Sequence, residues 1–428
     1  MIVYLRFIGK LQEVKIIGKI IPLRENRELE QVFNKRLAIG LLLLLFGSAL
    51  GFSSSTQSIS ITANQSISPM ITSQVGDAIV VGSNAELAEI ATGGVGTRTN
   101  PYIIEGKVIT ARTCVYIHDT TSSFILRNCE FIFDPYLIAG IGTSAVRFED
   151  IEDGVIENCY VRGGDIAIEF RTSTNCSVVD CQVLDAYRGI LIDSSSNIMI
   201  TESTSFNNNI GIMVVNSNTN YIINNSIYSN FQTGVHIEAF SEDNVIFGNT
   251  VGWNAIQNAR DNGENTAFTD GFSLGNEWSD YVPEQVYSIA GAGGSTDPFA
   301  TLLTDDTRPR VVPLFDVVVD VESNDEVLIW TASDMYPRRF QIFVNDELEE
   351  DGMWDGRDIT FDLDYLTEGS YTISLNVTDG AGNMGTDEVV VTVISFILGG
   401  IGTELVMYAS GVTMVCFVVV IVLVKKFL

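Results

Sequence analysis

Apolar and polar residues alternate in short runs along the middle of the chain, and the runs recur every 22 to 24 residues. Five segments align: Asp153-Gly-Val-Ile-Glu-Asn-Cys-Tyr-Val, Asn175-Cys-Ser-Val-Val-Asp-Cys-Gln-Val, Asn197-Ile-Met-Ile-Thr-Glu-Ser-Thr-Ser, Asn220-Tyr-Ile-Ile-Asn-Asn-Ser-Ile-Tyr and Asn244-Val-Ile-Phe-Gly-Asn-Thr-Val-Gly. Four of them lead into a second alternating run: Ile166-Ala-Ile-Glu169, Ile190-Leu-Ile-Asp193, Ile212-Met-Val-Val215 and Val235-His-Ile-Glu238. Period-two runs this short are strands, and the Asn and Gly residues between them are corners. A repeat of this length marks stacked units, none of which can bury its apolar face alone. Each unit is therefore expected to be one coil of a parallel β-helix.

Coils are expected from about Tyr102 to about Asn258, with earlier closing runs at Val115-Tyr-Ile-His118 and Val146-Arg-Phe-Glu149. The gap between those two runs exceeds one period, so Asp134 to Gly142 reads as a looped-out insertion. Ser83-Asn-Ala-Glu86 has the spacing of a capping box and predicts a short amphipathic helix through Ile90. Such a helix covers the open end of a β-helix, where apolar core and unpaired backbone would otherwise meet water.

After the coils the chain runs into Gly275-Asn-Glu-Trp-Ser-Asp-Tyr281 and Gly291-Ala-Gly-Gly-Ser-Thr-Asp-Pro-Phe299; before them stands Gly96-Thr-Arg-Thr-Asn-Pro-Tyr-Ile-Ile-Glu-Gly106. These flanking motifs resemble the two signatures of NosD-like β-helix proteins, which are common in archaeal surface proteomes. The resemblance covers about residues 75–300 and implies a right-handed parallel β-helix of a kind described as copper-binding or carbohydrate-binding. The copper role departs from this chain. Its only histidines, His118 and His236, fall about five rungs apart, roughly 20–25 Å, and its methionines are scattered. Clustered soft ligands are what a copper site requires.

Beyond residue 313, short alternating strands such as Val327-Leu-Ile-Trp330, Phe340-Gln-Ile-Phe-Val344 and Val389-Val-Val-Thr-Val393 predict an antiparallel sandwich. Tyr365-Leu-Thr-Glu-Gly-Ser-Tyr371 and Val377-Thr-Asp-Gly-Ala-Gly-Asn383 resemble the last strands of bacterial and archaeal immunoglobulin-like surface modules. Residues 405–424 are uncharged and precede Lys425-Lys426; twenty residues at helical rise cover roughly 30 Å, one hydrocarbon core. Near the other end, Lys35-Arg36, an apolar core at 37–46 and Gly47-Ser48-Ala49 have the three parts of an export signal. The expected fold is thus all-β: a right-handed single-stranded parallel β-helix, then a small antiparallel β-sandwich and one C-terminal transmembrane helix. The expected organisation is a signal with an extended n-region over 1–52, a flexible leader over 53–75, the capped β-helix over 76–300, a linker over 301–313, the immunoglobulin-like sandwich over 314–394, and the membrane helix over 405–424. The lysine pair belongs in the cytoplasm and everything before the helix outside it. Four Asn-x-Ser/Thr acceptors, at Asn64, Asn175, Asn224 and Asn376, agree with that topology.

Fifty-four acidic against 24 basic residues give a net charge of −30. The basic residues crowd the two ends, and Lys107 is the only lysine between Arg36 and Lys425. Such a surface repels phosphate backbones and argues against nucleic-acid binding.

Within a coil strand alternate residues point in and out, and rungs lie about 4.8 Å apart. Setting Val115, Val146, Ile166, Ile190, Ile212 and Val235 in register gives two outward columns. One holds Tyr116, Arg147, Leu191, Met213 and His236, with Ala167 between; its partly apolar strip is the candidate ligand face, for a sugar ring or for a covering segment. The other holds His118, Glu149, Glu169, Asp193, Val215 and Glu238. Stacked like charges repel, so Glu149, Glu169 and Asp193 are candidate ligands for Ca²⁺, with solvent screening as the alternative. Cys129, Cys159 and Cys181 share one coil position, either as a stack of buried thiols or as a source of disulfides. No Gly-His-Gly motif with paired aspartates and no clustered basic residue suited to a lyase base occurs. The expected role is a non-catalytic, membrane-anchored surface head that binds a glycan, an envelope component or a protein partner. A polysaccharide-active enzyme working on the acidic face is the alternative.

Overall fold

A computed structural model describes residues 2–7, 10–15, 77–136, 143–321, 323 and 326–395. In the first compact unit, residues 1–70, strands Ile2–Phe7 and Lys10–Lys15 pair as an antiparallel hairpin. The signal core expected at 37–46, the leader at 53–75 and the membrane helix expected at 405–424 lie outside the described residues. Among those described, no helix is long and apolar enough to cross a membrane.

The second unit begins with a parallel β-solenoid of three sheets, of seven, nine and eight strands, to which successive coils contribute in turn. The first sheet runs from Tyr102–Glu105 to Val245–Phe247, the second from Val108–Ala111 to Thr301–Leu302, and the third from Ile79–Val81 to Gln257–Asp261. Inward positions form one continuous core that includes Ile104, Phe124, Phe131, Phe148, Phe170 and Trp278. The helix Asn84–Ile90 closes the start: Ser83 Oγ accepts from Glu86 N, Glu86 Oε2 accepts from Gly82 N, and Leu87 is fully buried.

Two adjacent corner positions repeat in every coil, and each does a different job. Asn128, Asn158, Asp180, Glu202 and Asn224 all take positive φ, between 47° and 56°, the left-handed geometry that short polar residues tolerate best. The next residue points inward and accepts a hydrogen bond from the backbone of the preceding coil. Cys181 Sγ accepts from Cys159 N, Ser203 Oγ from Cys181 N, Asn225 Oδ1 from Ser203 N, and Asn249 Oδ1 from Asn225 N. Asn158 thus stands at the left-handed corner, whereas Asn225 and Asn249 belong to the ladder. A second ladder runs through Ser173, Ser195, Ser217 and Ser241. A third passes through Asn208, Asn230 and Asn254. Buried backbone N–H groups left without partners would cost about 1–3 kcal/mol each, so these columns are what permits a tight corner inside a core.

The first ladder ends at the downstream signature. Asn249 N donates to Asn276, and Asn276 N and Trp278 Nε1 both donate to the buried carboxylate of Asp297. A Cβ on Gly275 would lie 2.1 Å from that carboxylate, which accounts for glycine there. The cysteines at the other end of the column are unpaired thiols, as are Cys114 and Cys176. Burial pushes Cys176 up to about 12.

The register corrects one expectation. Val146 pairs with Ile168, not Ile166, and Ile168 with Ile190. A shift of two residues keeps every side chain on its own face, so Ile166-Ala-Ile-Glu-Phe-Arg171 satisfies the apolar pattern in either register. The constant 22-residue step selects between them, and it moves Glu169 out of the column with Glu149 and Asp193.

The sandwich has a five-stranded sheet in the order Val317–Asp320, Met384–Ile394, Gly369–Asp379, Pro337–Val344, Glu347–Met353, facing the pair Val327–Trp330 and Ile359–Asp362. Trp330, Trp354, Ile342, Leu375 and Val391 fill its core, and Trp330 Nε1 donates to Asp387. It does not hang free from the solenoid. Its loops pack on the outward column Leu184, Phe206 and Tyr228 of the second sheet, with Tyr336 edge-on to Tyr228 and Trp253.

Asn225→Ala should lower stability by about 2–4 kcal/mol, because the Ser203 N–H and two buried carbonyls lose their partners. Asn224→Gly, one residue away at the left-handed corner, should stay within about 1 kcal/mol. Chemical unfolding of the two variants makes the comparison.

Candidate functional site

With the register known, the outward face of the third sheet can be rebuilt. Its first column is Tyr116, Arg147, Glu169, Leu191, Met213, His236 and Arg260. All five ligand-face candidates stand in it, and Glu169 takes the place assigned to Ala167. The second column is His118, Glu149, Arg171, Asp193 and Val215. The acids therefore do not stack on one another. Arg171 separates Glu149 from Asp193, and Arg147 stands beside Glu149 and below Glu169.

The result is a checkerboard of alternating charge. Arg147 Nη2 lies 2.8 Å from Glu149 Oε2, and its Nε lies 3.7 Å from Glu169 Oε2. Arg171 reaches Glu169 at 3.4 Å and Asp193 at 3.6 Å. Tyr116 OH donates to Glu149 at 2.6 Å and Ser144 Oγ to Glu169 at 2.6 Å. Glu169 is only 2 % exposed, a burial that a carboxylate tolerates when paired on both sides. Burial works against ionising Glu149, but the Tyr116 hydroxyl and Arg147 outweigh it and hold its pKa below the ordinary value. Burial and the Glu149 charge push Tyr116 up to about 12. Arginine already supplies the counter-charge that Ca²⁺ was invoked to provide. The expected Ca²⁺ set of Glu149, Glu169 and Asp193 is withdrawn on this ground.

Along the same face the charges give way to an apolar groove of about 530 Å³, lined by Ile166, Leu191, Met213, Val215 and Phe240 and edged by Arg188 and Glu238. Phe240 is 81 % exposed and sits at φ +66°, an uncommon backbone state for a bulky residue. Beside the groove, His236 has its pKa lowered by burial, against the pull of Glu238 3.5 Å away.

A larger cleft, about 700 Å³, lies where the sandwich meets the second sheet. Of its aromatic lining, Phe206 and Tyr228 are buried, and the Tyr160 ring is covered by the Arg357 guanidinium 3.7 Å above it. Tyr160 OH donates to Asp355 at 2.7 Å, and Arg357 pairs with Glu130 at 2.9 Å. These groups spend their bonds on holding the two domains together. No local pattern marks them, since Tyr160 and Asp355 lie 195 residues apart.

A parallel β-solenoid with short polar corners and two flanking closures defines the class of the N-terminal part of this unit. Residues 71–283 match the NosD family, described as periplasmic copper-binding protein, and form a NosD-type β-helix domain. No curated protein sequence matches the chain. Among solved structures, the fibronectin(III)-like modules of Clostridium thermocellum CbhA are 21 % identical, covering 20 % of this chain and 98 % of theirs, at a TM-score of 0.16. The periplasmic alginate epimerase AlgG is 12 % identical over 57 % of this chain and 78 % of its own, at a TM-score of 0.26. The enzymatically active domain of bacteriophage CBA120 tailspike protein 2 is 9 % identical over 67 % and 64 %, at a TM-score of 0.30. Likenesses this distant say nothing of activity.

The donors present do not fit copper. His118 and His236 lie five strands apart on the third sheet, about 24 Å. The described cysteines point into the core.

Arg147→Met should cost about 2–4 kcal/mol by leaving Glu169 under-compensated. Adding Glu169→Gln should recover at least half of that loss. A double-mutant cycle by chemical unfolding checks the pair.

Proposed function

We propose that this protein is an extracytoplasmic, membrane-anchored binding protein whose β-helix head takes up a glycan without turning it over. The observation that carries this reading is the groove of Leu191, Met213, Val215 and Phe240 beside the paired charges. An apolar floor with a few polar groups at its edge suits the C–H face of a sugar ring and the hydroxyls around it. Phe240, exposed on one side of the groove, supplies an aromatic edge. Glu149, Glu169 and Asp193 are engaged by Arg147 and Arg171, and Glu238 at the groove's edge faces His236 at 3.5 Å. The docked sandwich holds the head, and residues 405–424 would anchor the whole to a membrane, with the export signal at 37–46 placing it outside. The surroundings suggested by the NosD resemblance, a periplasm or an archaeal surface, agree with that arrangement.

The test is a glycan array probed with the full chain and with Phe240→Ala, a truncation of an exposed side chain that leaves the core untouched. Binding by the wild type that drops at least tenfold in the variant, with no oligosaccharide released, is the expected outcome. Undiminished binding by Phe240→Ala would remove the groove from the account. Release of oligosaccharide would instead establish a polysaccharide-active enzyme.

A further inference from the structure

A second feature lies away from the groove, where the solenoid hands over to the sandwich. Three carboxylates converge there from segments far apart in sequence: Asp305 just after the last solenoid strand, Asp334 before strand Pro337–Val344, and Asp379 at the end of strand Gly369–Asp379. One oxygen from each lies within 4.8 Å of the other two. No ion pair among the described residues involves any of them.

The hydrogen bonds they make do not balance this charge. Asp379 is 0 % exposed and accepts from Asn383 N and Nδ2. Asp334 Oδ1 accepts from Tyr336 N, and Asp305 Oδ1 from Thr307 N. The remaining oxygen of Asp305, Oδ2, is wholly shielded from solvent and has no donor at all. A buried carboxylate oxygen with neither donor nor cation is costly, and buried charges are otherwise paired or bound to a metal. Asn383 Nδ2 also donates to the backbone carbonyl of Asp305, fixing that segment against the sandwich.

We propose that Asp305, Asp334 and Asp379 form a divalent-cation site, selective for Ca²⁺, that ties the end of the solenoid to the sandwich. The donors are oxygen only, as a hard cation requires, and Ca²⁺–oxygen bonds of about 2.4 Å need ligand oxygens no more than about 4.8 Å apart, a limit these three meet. Three ligands from three separate segments give an irregular shell completed by water. Ca²⁺ accepts such a shell, whereas Mg²⁺ demands a near-ideal octahedron. The cation would neutralise the cluster, take up the orphaned oxygen of Asp305 and stiffen the joint. The direction in which the head points relative to the sandwich would then depend on Ca²⁺. This inference does not rest on the glycan reading.

The experiment strips the full chain with EDTA and titrates it with CaCl₂ by calorimetry, alongside Asp305→Asn and Asp334→Asn. Melting temperatures are recorded in Ca²⁺ and in EDTA. Wild type should bind one equivalent, within the millimolar range typical of extracellular sites, that both variants lose, and Ca²⁺ should raise only the wild-type melting temperature. In EDTA the variants should melt at or above the wild type, since each removes a repelling charge. The same isotherm in all three proteins, or no binding to the wild type, would overturn the proposal. So would a variant that loses equal stability in Ca²⁺ and in EDTA, because that would mark a purely structural aspartate.

Discussion

Everything in the solenoid depends on one hydrogen bond made again at each turn. A buried corner N–H donates to a side chain one coil further on, as from Ser195 to Ser217 over 22 residues or from Ser203 to Asn225 over 22. The acceptor must be short, polar and inward, and the corner beside it must tolerate a left-handed backbone. In the first ladder those two demands put Cys, Ser or Asn at one position and Asn, Asp, Glu or Gly at the other. The ladder also fixes which residue stands above which, because a coil that slipped would leave a row of N–H groups in an apolar core. The closing signature serves the same bond. Asp297 accepts from Asn276 and Trp278 and so terminates a column that begins with the Cys129 thiol.

That rigid stacking decides the chemistry of the outward face. Moving Glu169 by two residues turns a presumed wall of like charges into alternating pairs. A face expected to need a metal becomes one that arginine already neutralises. What stays unsatisfied on this side of the molecule is apolar, at Leu191, Met213 and Phe240. What stays unsatisfied in charge lies at the joint with the sandwich. The two ligands proposed, a glycan and Ca²⁺, accordingly belong to two different places.

Much of this was legible in the repeat. Period-two runs at a fixed spacing identified the strands, the core positions Val115, Val146, Ile190, Ile212 and Val235, and every member of the column from Tyr116 to His236 except Glu169. Register was less legible, since hydrophobic alternation is blind to a two-residue shift and Ile166 and Ile168 serve equally well as inward residues. The step length carried the missing information. The docking of the sandwich was not legible at all. Tyr160 with Asp355, Arg357 with Glu130, and the three aspartates are brought together only by the folded chain, with no local pattern to announce them.

The most direct test of the register is a cross-link. In adjacent parallel strands the α-carbons of paired residues are about 4.8 Å apart, within disulfide range, whereas a two-residue offset places them about 8 Å apart, outside it. Arg171→Cys combined with Asp193→Cys should form a disulfide on mild oxidation, read by mass spectrometry, while the native thiols stay buried and unreactive. Glu169→Cys combined with Asp193→Cys should not. The reverse result would restore the stacked acids and undo the account of this face.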